Sequence, residues 1–238
     1  MKRNIVIGPP GTGKTTFLKD KVEKLISGGY CRPDEIGYFS FTVKAAEEIR
    51  DRVTKEEWSE AELKKMYPYF CTLHSLAYKR LQLQQSQIMD QSDYDDLSRN
   101  TGRFFVNKMK KGNGMDISMP TAKSEYQDLI NLAYAKFPDD DDRLNQIFRT
   151  VKLSDYGARN TIEQMDLDLK NFKRDRDKLE YVDYFNHFLQ KKNPPPLKYL
   201  FVDEAQDLSA HQWQVIDMIQ EVAKPIETYV AGDDDQAI

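Results

Sequence analysis

The chain has 238 residues, 39% of them hydrophobic, with 31% charged residues and a formal net charge of −4 at pH 7. This length suits one large domain, or one domain that carries an insertion. The negative charge excludes nucleic-acid binding through overall basicity, so such binding would need a local groove. There is no apolar run near the roughly 18–20 residues of a membrane span and no secretory signal. Since the two cysteines, Cys31 and Cys71, also suit a reducing cytosol, we expect a cytoplasmic protein without a membrane partner.

The first part of the chain alternates strand and helix patterns. Short apolar runs rich in β-branched and aromatic residues predict strands over residues 4–7, 36–41 and 69–73. Helical spacing of apolar residues follows each of them, from Lys14 to the glycines at 28–29, over 45–53, and after the third strand as far as Leu83. Strands that alternate with helices predict an α/β fold, with a parallel sheet and helices on both of its faces.

From about residue 84 to residue 178 the sequence is polar, has helical patterns and lacks a strand run. We therefore expect an α-helical insertion over 84–178 and a sheet domain built from residues 1–83 and 179–238. In this last part the proline run at 194–196 precedes a strand ending in "FVDE", a helix from Ser209 to about Val222, and a final strand from Thr228 to Ala231.

The segment "GPPGTGKT", Gly8 to Thr15, fits the phosphate-binding pattern G-x-x-x-x-G-K-[ST] between a predicted strand and a predicted helix. Glycines let backbone N–H groups face the phosphates, and the helix N-terminus favours their charge. Lys14 is expected to reach the β- and γ-phosphates and Thr15 to bind Mg²⁺. A chance glycine-rich turn is the alternative, but the flanking elements favour nucleotide binding. The candidate nucleotide-binding residues are Gly8, Pro9, Pro10, Gly11, Thr12, Gly13, Lys14, Thr15 and Thr16.

The segment "YLFVDEAQD", Tyr199 to Asp207, supplies two carboxylates after a buried strand. Ligands of open α/β sheets bind at the C-terminal ends of the strands, which is where Asp203 and Glu204 fall. We expect Asp203 to bind the metal ion, and Glu204 to orient and deprotonate the attacking water. An ordinary acidic strand end is the alternative, which the phosphate-binding loop makes weaker.

Five segments occur in the order "GPPGTGKTT", "FSFTVKAAEEIRDRV", "CTLHSLAYKRL", "LFVDEAQDLSAHQ" and "VAGDDDQAI". Together they resemble the ATPase motifs of superfamily 1 DNA helicases of the UvrD/Rep type, and "LEYVDYFNHFL" is similar to a weaker motif of that family. The resemblance implies a P-loop NTPase fold of the RecA-like kind, with an inserted α-helical subdomain. It also implies that the complete protein is an ATP-dependent DNA helicase that uses ATP and Mg²⁺ on single-stranded or partly duplex DNA.

The resemblance also assigns roles to single residues. Gln206 and Gln236 match glutamines that link the nucleotide site to the DNA groove, and Gln236 would sense the γ-phosphate. The family usually has Asn at the position of Val43, which implies one polar DNA contact fewer. Phe41 would stack a base or else fill the core, and His74 would contact DNA or else hold its loop. The positions implied to contact DNA are Phe41, Thr42, Lys44, Thr72, His74 and Ser75.

In such helicases the motif that contains Gln236 is followed by a second RecA-like domain, whose arginines close on the γ-phosphate. Such an arginine contributes roughly 10³–10⁵ in rate, so the resemblance implies weak nucleotide binding and little hydrolysis by these 238 residues alone. We expect the second domain in the same or a separate chain, with the present chain either a fragment or the product of a split gene. Such helicases usually also have an upstream glutamine that reads adenine, which has no match in these residues, so we expect ATP to be held largely by its phosphates. The alternative function is a non-catalytic module that binds single-stranded DNA or a partner.

Overall fold

The computed structural model describes residues 2–54, 58–107, 125–137 and 140–233. The chain forms two compact units. The sheet unit comprises Met1–Arg80, Phe188–Leu208 and Gln212–Ile238, and the helical unit comprises Leu81–His187 and Ser209–His211. The boundaries expected at residues 84 and 178 came from composition alone and stay predictions.

The sheet is parallel throughout, and its strand order is β1-β5-β4-β2-β3. Helices flank it, so the predicted α/β fold class is confirmed. The strands are β1 (Lys2–Ile7), β2 (Ile36–Phe39), β3 (Phe70–Cys71), β4 (Tyr199–Val202) and β5 (Glu227–Gly232). The helices in the described ranges are α1 (Lys14–Ser27), α2 (Val43–Val53), α3 (Glu60–Met66), α4 (Leu73–Leu81), α5 (Gln91–Thr101), α6 (Glu125–Lys136), α7 (Arg143–Thr150), α8 (Tyr156–Arg176), α9 (Tyr181–Lys191) and α10 (Ala210–Ala223).

Two strands are shorter than the sequence predicts. β2 ends at Phe39 and β3 covers only two residues, whereas strands were expected to Phe41 and over 69–73. In both places a threonine begins the next helix, because its hydroxyl oxygen accepts a hydrogen bond from a backbone N–H three residues later: Thr42 from Ala45 at 3.2 Å and Thr72 from Ser75 at 3.2 Å. The chain therefore turns into α2 and α4 directly at the edge of the sheet.

The core of the sheet unit contains a row of aromatic rings that crosses four neighbouring strands. The ring of Tyr38 on β2 stacks between Phe70 on β3, at 5.6 Å between centroids, and Phe201 on β4, at 6.1 Å. Phe201 stacks in turn on Tyr229 of β5 at 4.8 Å. Such cross-strand pairs stabilise a sheet beyond the burial of their area. The row also fixes the position of the Tyr38 ring, which is fully buried.

The helical unit has a core of its own, formed by side chains of α5, α6, α7 and α8. A buried charge network joins it to the segment that begins α9. Lys173 of α8 pairs with Glu180 at 3.1 Å and with Asp183 at 2.9 Å, and Glu180 also accepts a hydrogen bond from Tyr94 at 2.7 Å. Among the described residues, no helix combines the length and apolar character that crossing a bilayer requires.

Candidate functional site

The predicted phosphate-binding loop, Gly8 to Thr15, follows β1 and leads directly into α1. Gly11 has a φ of 80° and Gly13 a φ of 84°, a region in which residues with a Cβ are strained. Gly13 is the N-cap of α1, so the helix begins at Lys14 and directs its first N–H groups toward the loop. The Lys14 ammonium is buried and donates hydrogen bonds to the carbonyl oxygens of Gly8 and, at 3.1 Å, of Pro9. The cation thus lies inside the loop.

Asp203, directly after β4, is the point at which the two distant motifs meet. Its side chain is 2% exposed, and its Oδ2 accepts hydrogen bonds from the Thr15 hydroxyl at 3.1 Å and from the Tyr38 hydroxyl at 2.7 Å. Burial raises the pKa of the Asp203 carboxyl above its ordinary value, and the nearby charge of Glu204 raises it further. The hydrogen bonds to Asp203 act in the opposite direction because they stabilise its ionised form.

Glu204 lies beside Asp203 in a left-handed backbone conformation, with a φ of 52°. Non-glycine residues in this region carry strain and concentrate at functional sites. The Glu204 carboxylate accepts a hydrogen bond from Gln206 Nε2 at 2.8 Å, and Gln206 Oε1 accepts one from the backbone N–H of Asp233 at 3.0 Å. Gln206 therefore connects the end of β4 to the end of β5 and holds the half-buried carboxylate in place.

A cavity of about 700 Å³ opens in the sheet unit at the carboxyl edge of the strands. This is the size of a small-molecule site. Asp203 is buried and is not in its lining, and neither are Gly8, Pro9 and Thr12 of the predicted loop. The cavity is lined by Pro10, Gly11, Gly13, Lys14, Thr15, Thr16, Ser40, Phe41, Thr42, Ala45, Glu204, Gln206, Asp207 and Asp233.

The oxygen atoms around Thr15 fit a Mg²⁺ ion. Two ligands at right angles around Mg²⁺, with bonds of roughly 2.0–2.1 Å, lie about 2.9 Å apart. The Thr15 and Asp203 oxygens are 3.1 Å apart. Ser40, 3% exposed, also lines the cavity, and its buried hydroxyl has no hydrogen-bond partner among the described residues. In the described ranges no group of three or more His, Cys, Asp or Glu could hold a metal alone, so water and phosphate oxygens would complete the shell.

The first predicted DNA-contacting motif lies between β2 and α2. Phe41 is half-buried and lines the cavity. A ligand in the cavity could therefore contact the exposed part of its side chain, while the rest of that side chain stays buried. Thr42 has a local role that the sequence did not indicate, since it caps α2. Lys44, in the first turn of α2, is exposed.

The second predicted DNA-contacting motif lies between β3 and α4. Thr72 is buried and caps α4, and its hydroxyl donates to the Ser75 hydroxyl at 3.1 Å. His74 and Ser75 are half-buried in the first turn. None of these three side chains lines the cavity. Gln236 lies outside the described residues.

The sequence reasoning missed Tyr38 and Ser40, and it also did not predict the cavity-lining residues Ala45, Asp207 and Asp233. In the sequence, Tyr38 resembles any other large side chain of a predicted strand, and Ser40 resembles any polar residue near the end of one. Neither position by itself therefore indicates a functional role. A signal for Tyr38 was available, because a fully buried tyrosine normally finds a partner for its hydroxyl. Which residue that partner is depends on the strand order, and the structure pairs β2 with β4, which is followed directly by Asp203.

Comparison with known proteins gives a consistent result. The family described as the UvrD/REP helicase N-terminal domain matches residues 1–238. A "Probable DNA helicase" of Mycoplasma pneumoniae is 26% identical over 248 residues, which are 99% of this chain and 44% of the relative. A "Probable DNA helicase II homolog" of Mycoplasma genitalium is 26% identical over 257 residues, 99% of this chain and 34% of the relative. The "ATP-dependent DNA helicase PcrA" of Staphylococcus aureus is 24% identical over 246 residues, 98% of this chain and 31% of the relative. The chain thus spans less than half of each of these relatives.

Proposed function

Because the chain belongs to the UvrD/REP helicase N-terminal domain family, we propose that it binds MgATP and single-stranded DNA as the first motor domain of an ATP-dependent DNA helicase or translocase. The resemblance to the UvrD/Rep type that its sequence motifs indicate is confirmed by the match over the whole chain. The fold class and the family together make it a helicase motor domain. The nucleotide, the metal ion and the DNA strand are the finer parts of the proposal.

One observation carries the nucleotide part of the proposal. Thr15, at the end of the predicted phosphate-binding loop, contacts Asp203 from the far end of the sequence at 3.1 Å, and Thr15 lines the cavity together with Lys14 and Glu204. Lys14 would exchange its loop carbonyls for the β- and γ-phosphates, and the first N–H groups of α1 would face the same anion. Bound Mg²⁺ would neutralise charge that develops on the transferred phosphoryl group.

Glu204 is the proposed base for the attacking water. Its carboxylate lines the cavity and is held by the amide of Gln206, which leaves further oxygen lone pairs available to a water. Because Gln206 also accepts a hydrogen bond at the end of β5, a shift of that strand end would move Glu204 as well. Gln236, just beyond, would follow the γ-phosphate and link hydrolysis to the grip on DNA.

The DNA part of the proposal is supported by the edge of the sheet where β2 and β3 end. These strands are parallel neighbours, so α2 and α4 both begin at the same edge of the sheet. Helix N-termini favour phosphate groups, and the exposed Lys44 adds a positive charge at the first of them. Phe41 would supply a stacking surface for a base. Contacts by Thr42 and Thr72 would then be made largely through the backbone, because both threonine hydroxyls cap their helices. His74 and Ser75, in the first turn of α4, are the other proposed DNA contacts of this motif.

Unwinding and fast hydrolysis are proposed for the whole helicase, and they would need a second RecA-like domain in the same or another chain. The 238 residues assayed alone should bind nucleotide weakly and hydrolyse it slowly, since no arginine from an opposing domain would reach the γ-phosphate.

The test is a titration of the chain with a fluorescent ATP analogue, with and without Mg²⁺. We expect Mg²⁺-dependent binding, and a loss of about tenfold or more in affinity in Lys14→Ala, because charge-assisted hydrogen bonds contribute about 1.5–3 kcal/mol. Lys24→Ala is the matched control, since Lys24 is an exposed lysine in the last turn of the same helix. Absence of binding at millimolar nucleotide would contradict the proposal and favour a non-catalytic module that binds DNA or a partner.

A separate titration with labelled single-stranded DNA tests the groove. Phe41→Ala should weaken binding by about 1–3 kcal/mol, the contribution of one stacked base. If Phe41 only fills the core, this variant would lower the melting temperature and leave the DNA affinity of the folded chain unchanged.

A further inference from the structure

Tyr38 donates the shortest of the hydrogen bonds that Asp203 receives, although it belongs to neither of the motifs that form the nucleotide site. We propose that Tyr38 is a positioning residue that holds the Asp203 carboxylate in the orientation that Mg²⁺ requires. The inference rests on the proposed function, because it concerns the same metal ion. It adds a residue that determines how tightly the ion is held.

The Tyr38 ring cannot swing away from Asp203. It is fully buried and lies between Phe70 and Phe201, with interplanar angles of 13° and 18°. β2 and β4 are paired in register from Ile36 to Phe39, so the distance along the strands from the Tyr38 Cα to Asp203 is fixed by backbone hydrogen bonds. The hydroxyl therefore occupies one position, 2.7 Å from Asp203 Oδ2.

The three donors to Asp203 differ in what else they do. The Thr15 hydroxyl, at 3.1 Å, is itself a proposed ligand of the ion, so it cannot serve as an independent support. The backbone N–H of Glu204 reaches Oδ1 at 3.1 Å from the adjacent residue and turns with the same segment. Tyr38 is the donor that comes from another strand and has no further role in binding. It is thus the contact that fixes the plane of the carboxylate relative to the sheet.

A carboxylate held by a neighbouring donor loses less freedom when it binds a metal ion. Replacing such supporting groups typically lowers metal affinity by about 10–100-fold. Without the phenolic hydroxyl, Asp203 could rotate about its terminal bond, and its buried oxygen would lack one partner. The nucleotide itself would still be held by the loop and by Lys14, whose hydrogen bonds go to the carbonyl oxygens of Gly8 and Pro9. The expected loss is therefore confined to the metal ion.

The test is Tyr38→Phe, which removes the hydroxyl and leaves the stacked ring. Binding of a fluorescent ATP analogue is measured across a Mg²⁺ titration and again with the metal chelated. We expect the Mg²⁺ concentration at half-saturation to rise about tenfold. We expect nucleotide affinity without metal to remain within about twofold of the unsubstituted chain.

Tyr94→Phe is the matched control. Tyr94 is a buried tyrosine of the helical unit, and its hydroxyl also donates a hydrogen bond of 2.7 Å to a carboxylate, that of Glu180. Its loss should leave the Mg²⁺ midpoint unchanged. Equal midpoints in Tyr38→Phe and the unsubstituted chain would overturn the inference alone, whereas absence of nucleotide binding by the unsubstituted chain would overturn the proposed function and the inference with it. Unfolding of Tyr38→Phe in the assay buffer would also overturn the inference, because the hydroxyl would then support the fold and not the orientation of one carboxylate.

Discussion

Replacing Lys173 by methionine should destabilise the helical unit by about 3–5 kcal/mol, the usual cost of removing one partner from a buried ion pair. The Lys173 side chain is 12% exposed, and its partners Glu180 and Asp183 are 8% and 14% exposed. Methionine would keep the packing of the aliphatic stem but leave two carboxylates buried without a cation. The hydrogen bond from Tyr94 would still reach Glu180, so the loss should not exceed this range.

The pKa of Lys173 supports the prediction that removing its charge destabilises the folded helical unit. Burial alone would lower that pKa, but attraction to Glu180 and Asp183 outweighs burial and raises the pKa above its usual value. A raised pKa in the folded state means that the stabilisation is complete below the pKa of the unfolded chain and is lost as the pH rises through the folded value. At neutral pH, therefore, the full contribution of Lys173 is present.

The assay is urea unfolding followed by circular dichroism, combined with amide hydrogen exchange of α8. Arg174→Met is the control, because Arg174 lies on the same helix and pairs with Asp175 at 3.1 Å, but the two side chains are 72% and 65% exposed. Its loss should stay within about 1 kcal/mol. Equal losses in the two variants would refute the reasoning from burial.

The remaining predictions concern the sheet unit. Burial raises the pKa of Cys31 and of Cys71 to about 11, so at neutral pH their thiolate fractions should be about 100-fold below that of an ordinary thiol; a thiol reagent should modify them quickly only in urea, and rapid labelling of the native chain would contradict this. Gly37→Ala should cost about 1–3 kcal/mol in a denaturant titration, because the added Cβ would lie 2.6 Å from Leu197 Cδ1 in the core. Gly13→Ala meets no atom within 4 Å, so only its φ of 84° should matter, with a loss of about 1–2 kcal/mol in thermal unfolding.

The sequence predicted the elements whose patterns are local. Alternation of apolar runs and helical spacing was sufficient for the parallel sheet, and the glycines at 28 and 29 correctly end α1, whose last carbonyls bond to Gly28 and Tyr30. The "GPPGTGKT" pattern also predicts the backbone conformation of the loop, because Gly11 and Gly13 have the positive φ angles that glycine adopts without strain.

The predictions that failed depended on competition between neighbours in the chain. The apolar run with Cys71 and Leu73 predicts a longer strand, but the hydroxyl of Thr72 between them caps the next helix. The strand therefore ends at Cys71 and α4 begins at Leu73. The contact of Tyr38 with Asp203 joins residues 165 positions apart, and no local pattern encodes which strand will stand beside which. Pairing of β2 with β4 is a property of the whole sheet. Only the structure could therefore assign this tyrosine to the site.

The inward-folded ammonium of Lys14 changes how any experiment on this loop should be interpreted. Because it is already bonded to Gly8 and Pro9, an incoming phosphate displaces partners and does not meet a free cation. The observed affinity then measures the difference between two bonded arrangements. Lys14→Ala removes hydrogen bonds both from the loop without nucleotide and from the loop with nucleotide bound. The loop without nucleotide should therefore become less stable as well. Proteolysis or hydrogen exchange without nucleotide would separate that loss of stability from lost phosphate attraction.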